Sequence, residues 1–88
     1  MRAVQSAATM NMAARLKAMR AREGITQAQL SADVGLPLST LKKYEASLRL
    51  EISLVSLQKI TSHRRYRKYA LWLLTGETTY SGEQVSPL

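Results

Sequence analysis

Apolar positions recur at three- and four-residue spacing through most of this chain, the pattern of short helices that each bury one face. Met12, Leu16 and Met19 share one face of a first helix predicted from Asn11 to Glu23. Asn11 is placed to cap its start, and Gly24 to stop it in a left-handed conformation. Thr26 and Gln29 have the spacing of a capping box and open a second helix, from which Leu30 and Val34 point inward. Gly35 ends that helix, because a residue without Cβ tolerates positive φ. After Leu36 as the only spacer, Pro37 opens a third helix, where its missing N–H is not needed. Leu41 and Tyr44 lie on one face of this helix, which should end near Glu45 or Ala46.

A polar loop from Ser47 to Glu51 follows. Ser53 is expected to cap a fourth helix bearing Leu54, Leu57 and Ile60, and Ser62 a fifth with Tyr66, Tyr69 or Ala70, and Leu73 inward, ended by Gly76. No stretch alternates as a strand would, and nothing repeats, so the fold class is all-α with five helices. The expected organisation is a lead-in at 1–10, a helical domain at 11–76 and a tail at 77–88. The tail is read as disordered or an extended arm.

The length of 88 residues suits one domain with a modest core, leaving little room for a deep catalytic cleft or a separate ligand-binding module, and an effector-sensing domain is not expected. The absence of cysteine excludes disulfides, thiolate zinc sites and thiol catalysis, and one histidine argues against a metal centre. No cofactor is expected. Thirteen Lys and Arg against six Asp and Glu give a formal charge of +7, which points to an anionic polymer or acidic surface as partner. The longest apolar run, Tyr69 to Leu74, is far short of the ~20 residues that span a bilayer. Gln5, Ser6 and Thr9 interrupt any secretory signal, so the chain reads as cytoplasmic, and as nucleoid-associated if the anion is DNA.

The most informative stretch is Ile25 to Glu45, ITQAQLSADVGLPLSTLKKYE. Two short helices joined by a tight glycine turn form a helix-turn-helix. Leu30, Val34, Leu36 and Leu41 would seal the angle between the helices, and Ser31 supplies a small residue where they approach. The outer face of the third helix is then free of core duty and can enter a major groove about 12 Å wide.

From Arg15 to Gly76 the chain resembles the lambda-repressor-like Cro/cI (XRE-like) helix-turn-helix family. The resemblance rests on the opening Thr26-Gln27 with Leu30 and small Ser31, on Gly35 with Ser39-Thr40, on the closing Tyr44-Glu45, and on Trp72 to Gly76. It implies a five-helix DNA-binding domain with base-facing positions at Leu38, Ser39 and Lys43. Gln27 would reach a phosphate or brace the third helix, Thr40 and Lys42 would flank the groove near phosphate, and Arg20 and Glu45 would form an internal salt bridge. Chemistry agrees in part: Lys43 can donate to guanine, Ser39 can donate or accept, and Leu38 can meet a thymine methyl. The chain departs from the family pattern at Leu38, where a polar residue is commoner, at Pro37, which replaces a capping Ser or Thr, and at Ala46-Ser47, where Asn-Gly or Arg-Gly is frequent.

Each remaining feature has a plainer reading beside the functional one. The basic run from Arg49 to Lys68 would ordinarily be a solvated face; with the motif upstream, Arg49 is expected to contact phosphate, and Arg64, Arg65 and Arg67 are weaker candidates. His63 reads as a surface or capping residue. Tyr66, Tyr69 and Trp72 at three-residue spacing read as a core or dimer stripe before a base-stacking platform.

One such domain reads few base pairs, so a homodimer on a palindromic operator is expected, with Tyr69, Trp72, Leu73 and Tyr80 as its contact and repression as its effect. The alternative is an antitoxin-like module whose tail engages a partner protein. An enzyme is the weakest reading, because no acid–base pair, nucleophile elbow or phosphate loop is present.

Overall fold

Helix capping accounts for most of the architecture. The computed structural model describes residues 10–48, 51–78 and 83–88. Five α-helices follow one another: α1 (Met12–Glu23), α2 (Gln27–Val34), α3 (Leu38–Glu45), α4 (Leu54–Thr61) and α5 (Ala70–Thr75), with a 3₁₀ turn at Arg67–Tyr69 before the last. There is no strand among the described residues. Asn11 caps α1 by accepting from the Ala14 amide at 2.9 Å. Thr26 and Gln29 close a complete capping box at 3.1 and 2.7 Å, and Ser53 accepts from the Ser56 amide at 3.1 Å. Gly24 and Gly35 take φ of 67° and 75°, the left-handed stop for which each was assigned.

The core is a single cluster in which Leu16, Met19, Leu30, Leu41, Ile60, Tyr66, Tyr69, Trp72 and Leu73 are all essentially inaccessible. Each helix contributes to it, which matters because helices of eight residues are marginal alone and draw their stability from packing. The packed face of α3 belongs to Leu41, Tyr44 and Glu45. Two buried polar groups are satisfied: Ser56 accepts from the Tyr44 hydroxyl at 3.2 Å, and Glu45 is paired as described below.

The C-terminal third departs from expectation. Ser62 does not cap a fifth helix; it ends α4, its amide bonding to Gln58 O at 2.8 Å. Residues 63–69 form turns in which His63 O accepts from Tyr66 and Arg67, and His63 Nδ1 accepts from the Arg65 amide at 3.1 Å. Histidine thus serves as a turn cap. Tyrosine at 66 and 69 buries as well from these turns as from a helix, because both hydroxyls find carboxylates. In α4, Leu57 and Ile60 are buried and Leu54, in the first turn, is exposed.

The end of the tail is docked. Val85 N–H donates to Lys68 O at 2.8 Å, and the Gln84 amide bridges Arg67 O and Leu71 N–H at 3.0 and 2.9 Å. The lead-in at 1–9 and residues 79–82 lie outside the described residues.

Candidate nucleic-acid interface

The sequence places α3 through its turn. Ser31 donates its hydroxyl to Leu36 O at 2.5 Å, closing α2 onto the turn, while Leu36 is buried beneath it. Pro37, at φ −58° and ψ 138°, presents its carbonyl to the amides of Thr40 and Leu41 at 3.0 and 3.1 Å. Proline therefore acts as the residue before the helix instead of its first member, and no side chain caps α3.

Burial along α3 divides it into two faces. Leu41, Tyr44 and Glu45 are interior, whereas Ser39, Lys42 and Lys43 are exposed and Leu38 and Thr40 are half-buried. Residues 39 and 43 are one turn apart and 42 lies beside them, so a hydroxyl and two ammonium groups share the outward stripe. Lysines in the last turn also suit the negative end of the helix dipole.

Glu45 anchors this helix from behind. Arg20 on α1 grips it at two points, Nε to Oε2 at 2.7 Å and a terminal nitrogen to Oε1 at 2.5 Å. Arg20 also donates to Ile25 O at 3.2 Å. The hydrogen bond to Glu45 raises the Arg20 pKa against the opposing effect of burial, so the guanidinium remains charged. Gln27 donates its Nε2 to Glu45 Oε1 at 3.2 Å. Of the two roles considered for Gln27, the bracing one is present in this geometry, and its half-exposed position leaves it at the edge of the α3 face.

Two further acids were missed as organising groups. Glu23 receives Tyr69 at 2.5 Å, Arg65 at 2.7 Å and Lys68 at 3.1 Å. Burial disfavours its charge, but the hydrogen bonds from Tyr69, Arg65 and Lys68 outweigh that and hold the carboxyl at about 2. Asp33 accepts from the Tyr66 hydroxyl at 2.5 Å; burial first, then this hydrogen bond, pushes Tyr66 up to about 12. The available signal was scarcity: three of only six acids sit on α1 to α3, and each clasps a residue far along the chain. Acids on these helices are thereby committed to the scaffold, and Lys42 and Lys43 keep their charge uncompensated.

The remaining expected site residues divide sharply. Arg65 is tied to Glu23 and less available to phosphate. Tyr69, Trp72 and Leu73, expected at a dimer contact, are 1%, 1% and 0% exposed in the single chain. They cannot serve both as the interior and as a docking face in this conformation; the helical periodicity that marked them out is that of a core. Arg49 and Tyr80 lie outside the described residues. Groups of acids and histidine with metal-holding geometry are absent among the described residues, and no described helix is long and apolar enough to cross a membrane.

A helix-turn-helix family model matches residues 16–63, more than half of the chain and the span from α1 to the end of α4. No curated protein and no solved structure matches the chain significantly.

Proposed function

The chain belongs to the helix-turn-helix family of Cro/cI type and is a DNA-binding transcription regulator, and on that premise we propose that it is a dimeric repressor of the phage, prophage or bacterial regulatory-cassette kind. The observation that carries the reading is the outward stripe of α3, on which Ser39, Lys42 and Lys43 are exposed while Glu45 fixes the same helix from within. Helix α3 lies in the major groove with Lys43, Ser39 and Leu38 toward base edges. Lys42 and Thr40 meet the flanking phosphates, and Gln27 joins them from the start of α2. Two copies read half-sites about 34 Å apart on one DNA face, and occupancy excludes polymerase from an overlapping promoter.

Dimer contact falls to side chains that remain in solvent. Leu48, Leu54 and Val55 around the start of α4, and Leu74 on α5, are exposed large apolar groups borne by or next to the helices, with Leu88 exposed at the end of the tail. The antitoxin-like alternative, in which the tail wraps a partner, is disfavoured by the docking of Gln84 and Val85 on the chain itself.

Selection from random duplex DNA, followed by binding at two salt concentrations, tests the proposal. A palindromic consensus with a steep salt dependence supports it; equal affinity for every duplex overturns it.

A further inference from the structure

An open cavity of about 630 Å³ lies where the end of α4, the 3₁₀ turn and the docked tail meet. We propose that it is a phosphate-binding site, separate from the outward face of α3. Arg64, Arg67 and Lys68 line it, against the single carboxylate of Glu83. Three cations in one concavity repel each other, and an anion entering it relieves that repulsion while gaining all three attractions.

The arginines are also chemically available. Arg15 donates to Leu73 O, Arg20 holds Glu45 and Arg65 holds Glu23. Arg64 and Arg67, by contrast, have no side-chain hydrogen bond or ion pair among the described residues. A planar guanidinium presents paired N–H groups that match two oxygens of a phosphate, the anion assigned to this pair. Lys68 adds a point charge, although it shares Glu23.

The backbone beneath these side chains is anchored. Gln84 bridges Arg67 O and Leu71 N–H, and Val85 binds Lys68 O, so the tail fixes one wall and the residues opposite it. The volume falls within the roughly 300–1,000 Å³ range of small-ligand clefts. No residue of α2 or α3 lines it, so a phosphate can be held there while α3 is engaged. The phosphate comes either from a flanking stretch of DNA backbone or from a free phosphorylated molecule, which share this chemistry.

The test uses the full chain and a double variant, Arg64→Gln with Arg67→Gln, both exposed positions whose change leaves the core intact. Inorganic pyrophosphate is titrated at constant ionic strength while the amide resonances of Ala70 and Gln84 are followed. Saturable shifts, weakened about tenfold or more in the double variant, support a site for free phosphate. In parallel, the salt dependence of binding to mixed-sequence duplex is measured. A log–log slope shallower by about 0.9 per arginine removed, with pyrophosphate inert, assigns the phosphate to DNA. Pyrophosphate shifts that are absent, unsaturable or equal in both proteins, together with an unchanged slope, overturn the proposal. The pyrophosphate arm reads the cavity whether or not α3 recognises an operator.

Discussion

Arg20 and Glu45, 25 positions apart, meet in a two-point ion pair that fastens the end of α3 to α1. Glu45 is 2% exposed and its side chain also receives Gln27, so its carboxylate is fully occupied in the interior. The pair sits directly behind the outward stripe, and the pose of that stripe depends on it.

Glu45→Ala is therefore expected to destabilise the fold, because it leaves the Arg20 guanidinium beside the core with only the Ile25 carbonyl and no counter-charge. Breaking a buried pair costs about 3–5 kcal/mol, and the partial exposure of Arg20 places this case nearer the lower figure. Thermal unfolding measures it, and an unchanged midpoint would show that the pair contributes nothing.

Lys43→Ala should leave stability alone and weaken operator binding by about 1–3 kcal/mol, relaxing preference at one base pair per half-site. Competition between operators mutated singly checks this. Equal losses on all of them would reassign Lys43 to phosphate.

Lys42→Ala should behave in the opposite way. It weakens binding to every sequence similarly and makes the log–log salt slope shallower by about 0.9 per copy. A sequence-dependent loss would move Lys42 into the base-reading set.

Ser47→Gly should stabilise the chain by roughly 0.5–1 kcal/mol. Ser47 has φ of 60°, and it closes α3 with the same pair of bonds that closes α1. Leu48 N–H reaches Lys43 O and Ser47 N–H reaches Tyr44 O, as Ile25 reaches Arg20 and Gly24 reaches Ala21. In α1 the left-handed residue is glycine; in α3 it is a residue with a Cβ. Denaturant midpoints compare the two proteins, and a lower midpoint for the glycine variant would refute the strain.

Stability should fall as pH drops from the ordinary glutamate range toward about 2. The Glu23 carboxyl is depressed to about 2 in the folded chain, so the unfolded chain binds its proton first. Its contribution is complete above the unfolded pKa and is lost as pH falls through the folded one. Tyr66, raised to about 12, has the reverse sign: its contribution is present below the ordinary tyrosine pKa and disappears as pH rises toward 12. Glu23→Gln should flatten the acid limb of a midpoint-against-pH curve, and an unaltered limb would remove Glu23 from the account.

Local signals in the sequence were enough to define α1 through α4. Asn11, the Thr26–Gln29 box, Gly24, Gly35 and Ser53 act through bonds that span three to five residues, so their spacing alone carries the information. The outward stripe of α3 was legible for the same reason: once Leu41 and Tyr44 face inward, the helical period turns Ser39 and Lys43 outward. Spacing was silent in the C-terminal third, where Ser62 resembles a cap but follows the end of a helix.

Periodicity marked Tyr69, Trp72 and Leu73 as sharing an apolar face without saying what covers it. Whether such a face meets its own chain or another copy depends on how helices close around one another, a long-range choice set by total burial. The partners of Glu23, Asp33 and Glu45 likewise lie 18 to 46 residues away, brought within reach only by packing. Helix ends and faces belong to the sequence because hydrogen-bond geometry is local; the occupants of those faces, and the charges left over for a partner, belong to the tertiary structure because apolar burial is not.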